Sequence, residues 1–188
     1  MIASFVYATS LLAVSYDGIL VTNAGDSIQC TILFNYGDKY QYRGEFLATE
    51  RLNVQVAEEN RTYTAQDLQS YSVYLDNKWK TYHSVRYQKK KRQFMKREVH
   101  GTMNLYSGIR YSGTRVSYNK KYLLENTATG KLLYIDPETT STQRKVGEFL
   151  AVCPAAAGML VGNQTSLETT EGWQSLVKGY NENCPTTP

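Results

Sequence analysis

The sequence predicts a mainly β, α+β domain: an antiparallel β-sheet or partly open barrel carrying two C-terminal helices. Three observations lead there. Short segments of period-two alternation, separated by turn residues, run from Asp17 to Ile135. Tyrosine is abundant, sixteen residues against five phenylalanines, and it favours strands. After Asp136-Pro137 the apolar period changes to that of a helix.

The first hairpin pairs Gly18 to Thr22 with Ser27 to Phe34 across Asn23-Ala-Gly-Asp26. Ile28, Cys30 and Ile32 share one face. Further strands are expected at Tyr42 to Ala48, Arg51 to Ala57, and Arg61 to Thr64, with Asn60 in the turn between the last two. Ser70 to Leu75 follows, then a turn at Asp76-Asn77 into Lys80 to Gln88. The centre continues with Gln93 to His100, Met103 to Ile109, Arg115 to Asn119 and Tyr122 to Asn126. Thr129-Gly130 turns the chain into Lys131 to Ile135.

Val146, Phe149, Leu150 and Cys153 form one stripe of a helix spanning 141–153. Trp173, Leu176, Val177 and Tyr180 do the same for 170–183 and lead to Cys184. Thr169 or Thr170 can cap the second helix, with Glu171 in its first turn. Phe149, Leu150, Trp173, Leu176 and Val177 are the expected packing residues. Ala155 to Val161, small and apolar, suits a short helix between them.

The length of 188 residues fits one domain, and 20% charged with 41% hydrophobic residues is a globular balance. Residues 1–15, MIASFVYATSLLAVS, read as a signal peptide, with small residues at Ala13-Val14-Ser15 placing cleavage before Tyr16. They lack a basic n-region, so a buried first strand is the competing reading. Residues 16–188 then form the single β-rich domain, with the helical part at about 141–184. Export favours a disulfide between Cys153 and Cys184, which end two apolar stripes. Cys30 is left as a small apolar strand residue.

The net charge of +4 conceals an asymmetry. Lys78 to Lys121 holds thirteen Lys or Arg against Glu98 alone, which is +12, so the remainder carries −8. Either basic strands face acidic ones or the basic stretch meets an anionic partner. Its densest part is Lys89, Lys90, Lys91 and Arg92, followed by Lys96 and Arg97. The strip is either a solvated hairpin that guards an edge or an anion-binding face. In the second case Tyr82, Tyr87, Tyr106, Tyr111 and Tyr118 could stack beside it, as in nucleic-acid binders.

Signals for chemistry are weak. His83 and His100 lie in basic sequence without a nearby acid other than Glu98, and no nucleophile elbow occurs. There is no spacing typical of a metal site, and the glycines do not form a phosphate loop. The expectation is a protein without catalytic residues, cofactor or metal.

Four stretches together resemble a family. Gly18-Ile-Leu-Val-Thr-Asn-Ala-Gly-Asp-Ser-Ile28 opens the chain, and Met103-Asn-Leu-Tyr-Ser107 stands in the middle. Phe149-Leu-Ala-Val-Cys-Pro154 and Leu176-Val-Lys-Gly-Tyr-Asn-Glu-Asn-Cys184 close it. From about residue 17 to 184 the order resembles small exported proteins of Bacteroidetes. The resemblance implies export, a β-rich body and a helical end, but no particular activity. Some similar proteins continue into a membrane barrel; this chain stops at Pro188, which implies a soluble or envelope-bound form. The function expected is a periplasmic or outer-membrane-associated interaction module, meeting an envelope protein or anionic envelope component. The alternative is a polyanion or nucleic-acid binder using the strip.

Overall fold

The computed structural model describes residues 13–35, 41–42, 45–46, 49–88, 91–112, 117–137, 141–162 and 167–184. Among the described residues twelve strands precede three helices. The strands are β1 (Ala13–Thr22), β2 (Ser27–Asn35), β3 (Gln41–Tyr42), β4 (Glu45–Phe46), β5 (Arg51–Val56) and β6 (Glu59–Thr64). They continue with β7 (Leu68–Leu75), β8 (Lys78–Gln88), β9 (Lys91–Val99), β10 (Met103–Ser112), β11 (Ser117–Asn126) and β12 (Lys131–Ile135). The helices are α1 (Thr142–Leu150), α2 (Pro154–Gly162) and α3 (Thr170–Asn183). Ten strands form one antiparallel sheet in the order β12-β11-β10-β9-β8-β7-β1-β2-β5-β6, while β3 and β4 pair with each other.

The mainly β class and the helical end are as the sequence predicts, with local differences. The β5–β6 turn falls at Ala57-Glu58, both at positive φ, and not at Asn60. Asn60 lies in β6 opposite Gln55. Where strands are expected at Arg115 to Asn119 and at Tyr122 to Asn126, Ser117–Asn126 is one continuous strand, and Arg115 and Val116 lie outside the described residues. Lys120-Lys121 breaks the apolar pattern there, yet the stem of Lys121 is buried and its ammonium meets Asp136 at 2.6 Å. Of the strand expected from Tyr42 to Ala48, the described residues Tyr42, Glu45 and Phe46 belong to the small β3–β4 pair, and residues 43–44 and 47–48 lie outside the described residues. The β1–β2 and β7–β8 turns are as read: Gly25 has φ +93°, and Asp76-Asn77 takes φ +53° and +59° in a two-residue loop.

The sheet curls on itself. Just before β5, Thr49 makes an antiparallel bridge to Phe94 of β9, and the Phe94 amide donates to the Thr49 carbonyl at 2.8 Å. That bridge joins the two ends of the run β5-β2-β1-β7-β8-β9, so six strands surround one core at the bridge. Alternation places Leu20, Ile32, Val54, Tyr71, Val73, Tyr82 and Phe94 inside it. Tyr71 stacks on Tyr82 at 5.0 Å and meets Phe94 edge-on at 5.0 Å. The tyrosines thus do much of the core packing: Tyr71, Tyr82, Tyr87, Tyr106, Tyr122 and Tyr180 are buried.

Beyond β9 the sheet extends through β10, β11 and β12, and the helices cover the face bearing Met103, Leu105, Tyr122 and Leu124. Trp173 is fully buried with Tyr122 at 5.5 Å, and Leu150, Leu176 and Val177 are buried with it, while Phe149 is half-buried against the same cluster. Each such side chain removed from water contributes about 1.5–3 kcal/mol. Thr169 caps α3 by accepting from the Gly172 amide at 3.1 Å. Cys153 and Cys184 form a disulfide with Cα atoms 5.9 Å apart, tying the end of α3 to the start of α2. Val85, Met95, Tyr106 and Leu123 make a smaller cluster on the reverse of the sheet.

Candidate functional site

The point where the sheet closes is also where the sequence-predicted cations meet a cavity. A pocket of about 230 Å³ lies at the seam. Glu50 and Arg51 line it from the start of β5, Thr64, Ala65 and Gln66 from the β6–β7 turn, and Lys91 and Arg92 from the start of β9.

Hydrogen bonds stitch these three pieces together. The Ala65 amide donates to the Glu50 carbonyl at 2.9 Å. The buried hydroxyl of Ser84 donates to the Ala65 carbonyl. Arg92 in turn donates from Nε to Ser84 Oγ at 2.8 Å and from Nη2 to the Ser84 carbonyl at 2.7 Å. Two of its five N–H groups therefore hold the guanidinium in place, leaving the others for a ligand. The Glu50 carboxylate accepts from the Tyr87 hydroxyl at 2.5 Å. The turn itself is braced by Asp67, whose Oδ2 accepts from the Thr64 amide and hydroxyl, both at 2.7 Å. Those two bonds lower the Asp67 pKa. Arg51, Lys91 and Arg92 make no ion pair among the described residues. Among the described residues, three cationic residues thus line the pocket, with Glu50 as the one acid.

The four described cations of the strip do not share one sheet face. Lys89 and Lys90 lie outside the described residues. Of the other four, Lys91 and Arg92 line the pocket. Strand alternation puts Lys96 on the sheet face that carries Phe94, and Arg97 on the face that carries Met95. Lys96 is taken up by Glu98 at 3.0 Å. Glu98, the lone acid in the basic stretch, has a buried side chain. It also accepts from Ser107 Oγ at 2.6 Å and Gln174 Nε2 at 3.2 Å, pinning α3 to the sheet. Tyr82, Tyr87 and Tyr106 are buried and offer no exposed ring to stack on, while the side chains of Tyr111 and Tyr118 lie outside the described residues.

Both histidines fall on the reverse face beside Tyr106. His83 packs edge-on to that ring at 6.4 Å, and burial, with Arg97 and His100 nearby, lowers its pKa to about 4. His100 Nδ1 meets Asn104 Oδ1 at 3.0 Å. Asn104 Nδ2 and the Tyr106 hydroxyl both donate to Glu125 Oε2 at 2.9 Å. The acid that the sequence seemed to lack near His100 is Glu125, reached through Asn104. Cys30 is only half-buried, and desolvation pushes its thiol up to about 11, which makes it a poor nucleophile. Among the described residues no group of three His, Cys, Asp or Glu could hold a metal ion. No described helix is long and apolar enough to cross a membrane.

Three of the four motifs that carry the resemblance, the central one and the two closing ones, meet in the helical layer, while the opening one forms the β1–β2 hairpin. Asn181 of the closing motif binds the backbone of Met103 in the central one, and the two cysteines join the closing motifs. Those residues hold the fold and stand apart from the seam pocket. Arg51, Glu50 and the β6–β7 turn carry no local sequence signal. They reach Lys91 and Arg92 only through the curl of the sheet. Compared with protein-family models, curated proteins and solved structures, the chain matches none.

Proposed function

We propose that this protein is a non-catalytic binding module that holds one anionic group of an envelope component in the seam pocket. The observation that carries the proposal is the convergence of Arg51, Lys91 and Arg92 on one pocket, with Arg92 held by Ser84. A guanidinium fixed before binding loses less freedom on binding an oxyanion. An extracytoplasmic setting is supported by the Cys153–Cys184 disulfide, which is compatible with export. Of the expected leader, residues 1–12 lie outside the described residues. Ala13, Val14 and Ser15 begin β1, opposite Asn35, Phe34 and Leu33.

The alternative, a polyanion or nucleic-acid binder, calls for a continuous cationic track. The division of the strip between two sheet faces and the pairing of Lys96 with Glu98 favour the pocket instead. Titration with inorganic phosphate and sulfate across a salt series tests the proposal. Arg51→Ala and Lys91→Ala should each weaken binding about tenfold and flatten the salt dependence. Wild-type affinity in both variants, with the fold intact, rejects it.

A further inference from the structure

We infer, resting on the reading of the seam pocket as an anion site, that its ligand is a phosphorylated or sulfated sugar. The ligand carries a single anionic substituent on a compact, hydroxyl-bearing body. Size comes first. A pocket of about 230 Å³ is many times the roughly 10–15 Å³ that one water needs. That is room for one tetrahedral anion and part or all of one ring.

The lining chooses the chemistry of the body. Among the described residues none that lines the pocket is aromatic, so these offer no face on which a nucleobase could stack. Ala65 is the one apolar side chain among the described lining residues, so a lipid tail or aromatic ring finds little there to bury against. Glu50 makes the wall opposite in sign to the three cations. Its Oε1 is already fixed by Tyr87, and Oε2 accepts no hydrogen bond among the described residues. A carboxylate has about four acceptor sites, so capacity is left for incoming O–H donors. A second anionic group in the same pocket would be repelled by Glu50. One anion for the cations and hydroxyl donors for the carboxylate is the donor pattern of a sugar ester.

The test is calorimetric titration of the full chain with glucose 6-phosphate, glucose 6-sulfate, inorganic phosphate and phosphoethanolamine. Either sugar ester should bind about tenfold tighter than inorganic phosphate, the worth of a hydrogen bond to a charged acceptor. Glu50→Ala should bring the sugar ester to the level of inorganic phosphate while leaving inorganic phosphate as tight or tighter. Tyr87→Phe, which keeps the carboxylate but removes its brace, should narrow the same ratio and serves if the first variant misfolds. Inorganic phosphate bound as tightly as both sugar esters overturns this inference and leaves the anion site standing. Phosphoethanolamine bound tighter than both sugars also overturns it, because Glu50 would then be reading an ammonium. No binding of any of the four overturns both.

Discussion

The side-chain amide of Asn181 pairs with both backbone groups of Met103: the Met103 amide donates to Asn181 Oδ1 at 2.7 Å, and Asn181 Nδ2 donates to the Met103 carbonyl at 3.0 Å. Strand β9 ends at Val99, opposite Leu105, so Met103 lies past the last β9 pairing. Asn181 from α3 takes the place of the missing strand. Asn181→Ala should therefore cost about 2 kcal/mol in urea unfolding, since it leaves a buried amide and carbonyl unpaired. Gly101 sits directly beneath, and a Cβ there would come within 2.5 Å of Asn181 Nδ2. Gly101→Ala should destabilise by displacing the same contact, and adding it to Asn181→Ala should cost less than the sum of the two.

How much of this was legible beforehand depends on the range of the interaction. Asp76-Asn77, Thr129-Gly130 and the stripe of Trp173, Leu176, Val177 and Tyr180 are local signals, and the structure follows them. Lys121 misled because its charge interrupts an alternating pattern, although its partner Asp136 lies across the β11–β12 hairpin. The cationic strip was visible as composition. Its division was readable from period-two alternation at Lys96 and Arg97. The pocket was not readable, because Arg51 and Lys91 are brought together by the Thr49–Phe94 bridge, which has no signature in either segment.

Reduction of Cys153–Cys184 should lower stability by about 3–4 kcal/mol on the chain-entropy estimate for a separation of 31 residues. The loss should fall on the helical layer, because the bridge spans α2 and α3 while the six-strand core contains neither cysteine. Hydrogen exchange with and without reductant checks this. Protection should fall in 142–184 and persist in β1, β7 and β8. Uniform loss across the chain would show that the two layers unfold as one.

His83 should give the protein an acid-sensitive limb. Its folded pKa, about 4, lies below the ordinary 6.5, mainly through burial and then through Arg97 and His100. The unfolded state thus binds more protons between those values, and stability rises with pH across the interval. The contribution is fully present above the unfolded value and is lost as pH falls from about 6.5 towards 4. His83→Gln should flatten urea midpoints over that window and leave those above pH 7.5 in the wild-type order. An unchanged acid limb would place the titrating group elsewhere.

Ser84 offers the sharpest separation of scaffold from ligand contact, because it does not line the pocket yet holds one of its cations. Its hydroxyl donates to the Ala65 carbonyl and accepts from Arg92 Nε, so Ser84→Ala removes two bonds and no charge. Stability should fall by about 1–2 kcal/mol. Anion affinity should fall several-fold, because Arg92 must then be ordered by the ligand itself. The salt dependence should stay as in the wild type, since the number of cations is unchanged. Arg92→Lys keeps the charge but cannot reproduce the paired contacts to Ser84 Oγ and its carbonyl, and should weaken binding to a similar degree. Full affinity in Ser84→Ala, measured below its unfolding transition, would mean that Arg92 needs no brace. The pocket would then act through charge alone.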